Sequence, residues 1–353
     1  MRPIRSGPIS RGGTCCVPSA PSRAARGVLA VYSTVSDEGN RTGKRVERQS
    51  TGIDKLVDRM ERRRARISDA FEANQLRGQR ARGFTEKLLT RTAYGVIYGV
   101  LTAGCLFAGR TPTAIIVSLY AWLCCSEFFR MCRRGGRMPN EVLGLTAAAS
   151  FPLVARFFGL RAMVFTAFFL LICVGVWYVL TPRANIADVA VTVFGPIYTS
   201  LAFSCVVLIR NSDPGLEGAF LTLGVVLAIW ANDAIAYLVG SRIGIHKMAP
   251  RISPNKSWEG FWAGMMGSVA VWVAIGLLHL KGLPLPLAIA IGVVEGFLSV
   301  IGDLFESRIK RGVGVKDSGA IMPGHGGLLD RSDSMIFGCM AAYILLVMGG
   351  IIF

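Results

Sequence analysis

Apolar runs about as long as a bilayer is thick recur from Ala93 to the C-terminal Phe353, and no other feature restricts the fold as much. An α-helix needs roughly 20 apolar residues to cross the hydrocarbon layer, where backbone N–H and C=O groups must be satisfied within the segment. On that rule the runs predict about nine spanning helices, with cores at 93–109, 112–129, 141–158, 162–181, 188–209, 217–240, 258–279, 283–303 and 336–353. The expected fold is an all-α integral membrane protein, a polytopic bundle occupying residues 93–353. Composition agrees: 52% hydrophobic residues, 17% charged residues and a mean hydropathy of +0.49 exclude a single water-soluble core.

Residues 1–92 form a separate basic segment. Positions 1–91 hold 20 Lys and Arg against 9 Asp and Glu, and so contribute +11 of the formal +17. The first 36 residues contain no acidic side chain, which is the composition of an organelle transit peptide; a disordered bacterial tail or a mis-assigned start codon explains it equally. Within 53–75, Ile53, Leu56, Val57, Met60, Ile67 and Phe71 fall near one stripe, with Arg62, Arg63, Arg64 and Arg66 mostly elsewhere. That is the pattern of an amphipathic helix lying on anionic lipid, and a solvated charge run is the plainer alternative.

Loop charge predicts orientation, because Lys and Arg are retained on the cytoplasmic side or its organellar equivalent. With the basic N-terminus inside, the loops after the second, sixth and eighth expected helices are also inside. They carry Arg130, Arg133, Arg134 and Arg137; Arg242, Lys247, Arg251 and Lys256; and Arg308, Lys310, Arg311, Lys316 and Arg331. The expected location is a plasma or inner membrane with these loops cytoplasmic, or a plastid membrane if the N-terminus is a transit peptide. The nine cysteines include no C-x-x-C pair, and most fall inside apolar runs, so they read as small buried hydrophobes rather than zinc ligands or a disulfide framework.

Two of these loops carry chemistry. The stretch Ser307–Asp333, SRIKRGVGVKDSGAIMPGHGGLLDRSD, alternates cations, carboxylates and glycines between two apolar helices. Arg and Lys bind phosphate oxygens, and Gly312, Gly314, Gly319, Gly324, Gly326 and Gly327 let backbone N–H groups approach an anion. Asp317, Asp330 and Asp333 suit Mg²⁺, which takes one or two protein carboxylates plus substrate phosphates. Upstream, Glu295 and Asp303 share a helix face that Glu306 and Lys310 continue; ionisable groups at membrane depth line cavities, pair or bind ions. Asp303 reads as a ligand and Glu295 as a polar pairing group. In the other loop Asp233 and Tyr237 share a face, Gly240 and Gly244 permit close helix approach, and Ser253, Lys256 and Ser257 are phosphate donors. Pro254 and Trp258 fit a simple helix entry as well. No G-x-x-x-x-G-K-[ST] or strand-linked G-x-G-x-x-G motif is present, so a nucleotide is held some other way.

The 307–333 stretch resembles the signature of the CDP-diacylglycerol synthase (phosphatidate cytidylyltransferase) family. Ser307, Lys310, Arg311, Lys316, Asp317, Gly319, Pro323, His325, Gly326, Gly327, Asp330, Arg331 and Asp333 satisfy that pattern, and Met322 and Ser332 depart from it. The element Ser253, Pro254, Lys256, Ser257, Glu259, Gly260 and the preceding Asp233, Ala236, Tyr237, Gly240 are similar to the same family. The resemblance spans about Ala93 to Phe353. It implies conversion of CTP and phosphatidate to CDP-diacylglycerol and diphosphate, with Mg²⁺ required. It further implies Asp303 and Asp330 as leading metal ligands, followed by Asp317, Asp333 and Asp233. Lys256, Lys310, Arg311, Lys316 and Arg331 would then neutralise phosphates, His325 would hydrogen-bond one, and Ser253, Ser257, Tyr237, Ser307, Gly326 and Gly327 would bind substrate. The partners implied are the two substrates, the lipid bilayer and a second copy in a homodimer, with no nucleic acid. A CTP-dependent prenol or dolichol kinase is the enzymatic rival, and a polytopic transporter with buried carboxylates is the rival from another class.

Overall fold

The computed structural model describes residues 95–319 and 326–352, and nearly all of them are helical. The order is α1 (Gly95–Ala108), α2 (Arg110–Arg134), α3 (Glu141–Leu180), α4 (Ile186–Pro196), a π turn (Ile197–Leu201), α5 (Ala202–Asn211) and α6 (Leu216–Ile243). A hairpin of β1 (Lys247–Ala249) and β2 (Ser253–Ser257) follows, then α7 (Trp258–Leu277), α8 (Leu285–Gly312) and α9 (Leu329–Met348). Among the described residues, and counting α4 to α5 as one segment, 7 helices are long and apolar enough to cross a membrane, so the chain is a multi-pass α-helical membrane protein.

Seven is not the nine expected from the apolar runs, for two reasons. Among the described residues α1 is too short to count, and the runs at 141–158 and 162–181 join in the 40-residue α3. A straight helix of that length would extend about 60 Å, roughly twice the hydrocarbon thickness. It is not straight: Gly159 leaves the helical region at φ 74°, ψ −169°, a left-handed φ that glycine adopts without a Cβ clash. Hydrogen bonds trace the path. Glu141 pairs with Arg133 at 2.7 Å, Ser118 donates to the Ala149 carbonyl at 2.6 Å and Arg156 to Thr111 at 3.2 Å, so residues 141–158 run antiparallel to α2. Yet the start of α4 returns to the start of α3, where the Met138 N–H donates to Asp188 at 2.8 Å and the Asn140 N–H to Thr192 at 2.9 Å. The chain therefore doubles back within α3, at Gly159.

Small residues let the helices close up. A Cβ on Gly144 would lie 2.3 Å from the Phe129 ring and one on Gly195 2.6 Å from it, so α3 and α4 pack directly on this fully buried α2 side chain. Between α6 and α7, Gly260 and Gly264 do the same: a Cβ there would stand 2.7 Å from the Ala236 carbonyl and 2.5 Å from Asn232 Oδ1. Cys124, Cys125, Cys132 and Cys339 are buried and free, as expected of small hydrophobes. The amphipathic stretch 53–75 and His325 lie outside the described residues.

The ends of α2, α6 and α8 and the start of α9 meet at one end of the bundle. A Cβ on Gly135, just past α2, would touch Val313, just past α8, at 2.9 Å. The three basic loops thus share an end, and the hairpin sits there too. The sequence was read as a loop entering a helix at this point. Instead Lys247 pairs with Ser257 and Ala249 with Ser253 in an antiparallel ribbon, and Ser257 then caps α7 by accepting from the Gly260 N–H at 3.3 Å.

Candidate active site

A cavity of about 710 Å³ opens at that end, between α6, the hairpin, α7, α8 and the start of α9. Its acidic lining is Asp233, Asp303, Asp317, Asp330 and Asp333; its basic lining is Lys247, Lys256, Lys310 and Arg331. Tyr237 and Ser257 also line it, while Phe261, Met248 and Val300 make an apolar side. The two chemistry-bearing loops, whose nearest members Gly260 and Ser307 are 47 positions apart in sequence, thus form one site.

The charges are arranged in pairs. Lys256, on β2, meets Asp303 at 2.7 Å, and Asp303 also accepts from the Ser307 hydroxyl one helical turn on, at 3.2 Å. Lys310 meets Asp330 at 2.7 Å and forms a second ion pair with Glu306, one turn back on α8. Glu306 is fully buried, so this second pair holds the lysine from below. Asp330 is tied further. Its carboxylate accepts from the Ser318 N–H at 3.1 and 3.0 Å and from the Gly327 N–H at 2.8 Å. On α9 and α6, Ser334 donates to Asp233 at 3.1 Å, and the Ser334 N–H to Asp333 at 2.8 Å.

Not every residue expected at the site lines the cavity. Arg311 and Lys316 are exposed and do not line the cavity, and Arg311 donates to the Val315 carbonyl at 3.2 Å. Arg311 lies in the last turn of α8, one position round the helix from Lys310, and Lys316 lies beyond the helix end at Gly312. Ser253 lies at the far end of the hairpin ladder and also misses the cavity. Gly326 and Gly327 were read as an anion cradle for substrate, but the anion they surround belongs to the protein. A Cβ on Gly326, whose φ is +85°, would stand 2.6 Å from Asp330 Oδ2. Ser257 is buried as a helix cap: a Cβ on Gly244 would lie 2.4 Å from its hydroxyl, so Gly244 and Gly240 make room for that oxygen.

The donor chemistry of the cavity suits a hard cation such as Mg²⁺, since oxygen ligands dominate. Asp233, Asp303 and Asp333 come from three helices and all line the cavity. Among the described residues, however, no three acidic, His or Cys side chains converge tightly enough to hold a metal by themselves. Asp330, a leading candidate from the motif, is already committed to three donors. Substrate phosphate oxygens and water would have to complete any coordination shell.

Glu295 is fully buried mid-helix and accepts from the Trp272 indole N–H, which is the polar pairing role expected of it. Glu127 was not anticipated. It is fully buried on α2 and accepts from the Ser318 hydroxyl at 3.1 Å and the Leu329 N–H at 2.9 Å. The signal was a lone carboxylate within the apolar run Tyr120–Phe129.

Comparison with known proteins gives this geometry a family. The chain is 33% identical over 267 residues to the phosphatidate cytidylyltransferase of Bacillus subtilis, covering 73% of this chain and 97% of that protein. It is 30% identical over 293 residues to the chloroplastic phosphatidate cytidylyltransferase 5 of Arabidopsis thaliana, covering 74% of this chain and 72% of that one. Against the phosphatidate cytidylyltransferase of Mycobacterium bovis it is 34% identical over 168 residues, 48% of this chain and 54% of the other. The model of the cytidylyltransferase family matches residues 89–348, all of the helical region that builds the cavity, and the chain belongs to that family.

Proposed function

We propose that this protein is a phosphatidate cytidylyltransferase, a membrane enzyme that makes CDP-diacylglycerol and diphosphate from CTP and phosphatidate. The observation that carries the reading is the single cavity at the helix ends, which joins paired lysines and carboxylates to an apolar wall of Phe261, Met248 and Val300. A diacyl lipid keeps its tails in the bilayer and presents its phosphate at such an end, while CTP enters from water.

The chemistry needs no protein nucleophile. An oxygen of the phosphatidate phosphate attacks the α-phosphorus of CTP, a new P–O bond forms, and the bond to the β-phosphate breaks with diphosphate leaving. Positioning and charge neutralisation lower the barrier. Lys256 is the cation best placed to move from a carboxylate to a phosphate, because among the described residues only Asp303 pairs with it and the pair is partly exposed. Arg331, exposed at the cavity, offers a bidentate fork to a phosphate. Lys310 contributes a fixed positive charge. Mg²⁺ bound to Asp303, Asp333 and Asp233 together with substrate phosphates would offset charge on the transferring and leaving groups.

The doubling back of α3 supports counting its two arms as separate crossings; with α1 as another, the total is nine. With the basic N-terminal segment inside, the ends of α2, α6 and α8 follow the second, sixth and eighth of these crossings, which supports a site on the cytoplasmic face, or on the stromal face if the chain is plastid-borne.

The test is purified protein in detergent with phosphatidate, Mg²⁺ and CTP labelled at either the α- or the γ-phosphate. The expected result is lipid carrying the α-label and γ-label released as diphosphate. In a parallel reaction with a prenol in place of phosphatidate, transfer of the γ-label to the prenol would establish the prenol-kinase rival, and absence of any lipid labelling in either reaction would overturn the enzyme reading.

A further inference from the structure

Both borders of residues 320–325 converge on one side chain from a distant helix. On one border, the Ser318 hydroxyl donates to Glu127 at 3.1 Å; on the other, the Leu329 N–H donates to the same Oε2 at 2.9 Å. The adjacent glycines have no room for anything else. A Cβ on Gly319 would lie 2.4 Å from Glu127 Oε1, and one on Gly327 2.3 Å from Oε2. Ser318 and Gly327 are also the residues whose N–H groups hold Asp330, and Asp330 in turn holds Lys310 at 2.7 Å. Glu127 itself is fully buried and does not line the cavity.

We infer that Glu127 is a positioning residue for cytidylyl transfer, an acceptor that fixes Ser318 and Leu329 so that their neighbours aim the Asp330–Lys310 pair into the cavity. Two donors from opposite borders of the loop meet one oxygen, so removing that acceptor frees both borders together. An apolar replacement would also leave the buried Leu329 N–H without a partner. Helix packing alone would need only the volume of Glu127, whereas positioning needs its oxygen. A glutamine carbonyl at the Oε2 position accepts from the same two donors, so the function requires an acceptor and not a charge.

This inference rests on the cytidylyltransferase reading, and wild-type turnover tests that reading separately from the variants. The experiment compares Glu127→Gln, Glu127→Met, Ser318→Ala and the Glu127→Met/Ser318→Ala pair, each purified in detergent, for kcat, KM for CTP and thermal midpoint. Glu127→Gln is expected to keep kcat within about threefold of wild type, and Glu127→Met to lose about 30-fold in kcat with KM changed less than about threefold, the pattern of lost alignment. Ser318→Ala should lose about fivefold in kcat at an unchanged midpoint and should cost nothing further in the Met background, since its hydroxyl acts through Glu127. Full activity in Ser318→Ala or Glu127→Met would overturn the inference, as would Glu127→Gln losing as much as Glu127→Met. If Glu127→Met does not fold, Glu127→Gln and Ser318→Ala still decide it.

Discussion

Two lysine–aspartate pairs line the cavity with the same 2.7 Å separation, yet they are built differently. Lys256 and Asp303 retain 23% and 28% of their side-chain exposure, and a single hydroxyl, that of Ser307, supports the carboxylate. Lys310 and Asp330 retain 10% and 7%, and the pair is embedded among Glu306, the Ser318 N–H and the Gly327 N–H. An ion pair open to water is worth little and exchanges readily, whereas a desolvated one is costly to open, because losing either partner leaves a buried charge uncompensated. The first is suited to releasing its lysine to a substrate phosphate. The second is suited to holding a charge in place through turnover.

That contrast is breakable by mutation. Lys310→Met should have the largest effect, because it leaves Glu306 and Asp330 buried without their cation: about 3 kcal/mol or more of stability and about a thousandfold in activity. Both readouts, thermal unfolding in detergent and CDP-diacylglycerol formation, must fall together; activity lost at an unchanged midpoint would erase the distinction between the pairs. Asp330→Asn should follow, losing about a hundredfold or more in turnover, since an amide keeps some of the hydrogen bonds but not the ion pair. Lys256→Met should cost about a hundredfold in turnover and less than about 1 kcal/mol in stability, and a large drop in midpoint would show that this pair too is structural. Gly327→Ala places a methyl 2.0 Å from the Ser318 hydroxyl and 2.3 Å from Glu127. Its expected cost is about 2 kcal/mol, from overpacking beside Asp330. Smallest is Tyr237→Phe, where an exposed hydroxyl is removed: about threefold in KM for a substrate, with the midpoint unmoved, checked by initial rates.

Periodicity and motif carried much of this into view. Asp233, Tyr237, Lys256, Asp303, Lys310, Asp330, Arg331 and Asp333 were singled out from residue type and spacing, and all of them line the cavity. Hydropathy found the helices, because burial in lipid demands long apolar runs whatever the partners are. What it could not show is how consecutive runs are joined, such as the reversal within α3 set by a single backbone angle at Gly159. It also missed the β1–β2 hairpin, since a three-residue strand of Lys247, Met248 and Ala249 leaves no alternation to read. Arg311 and Lys316 fit the chemistry of the motif, but Arg311 lies one position round α8 from Lys310, Lys316 lies beyond the helix end, and both side chains are exposed.

By itself the amino-acid sequence determined a multi-pass helical protein and the chemical kinds of group its basic loops would present, because hydrophobic length and charge are properties of the chain alone. Only the tertiary structure decided how those groups are used. It showed that Gly326 and Gly327 enclose the protein's own Asp330, that Asp330 is committed to Lys310, and that Glu127, nearly two hundred residues from Ser318, anchors that arrangement. The reason is that hydrogen bonds and desolvated ion pairs depend on distances of a few ångströms between segments far apart in the chain, and local pattern does not encode them.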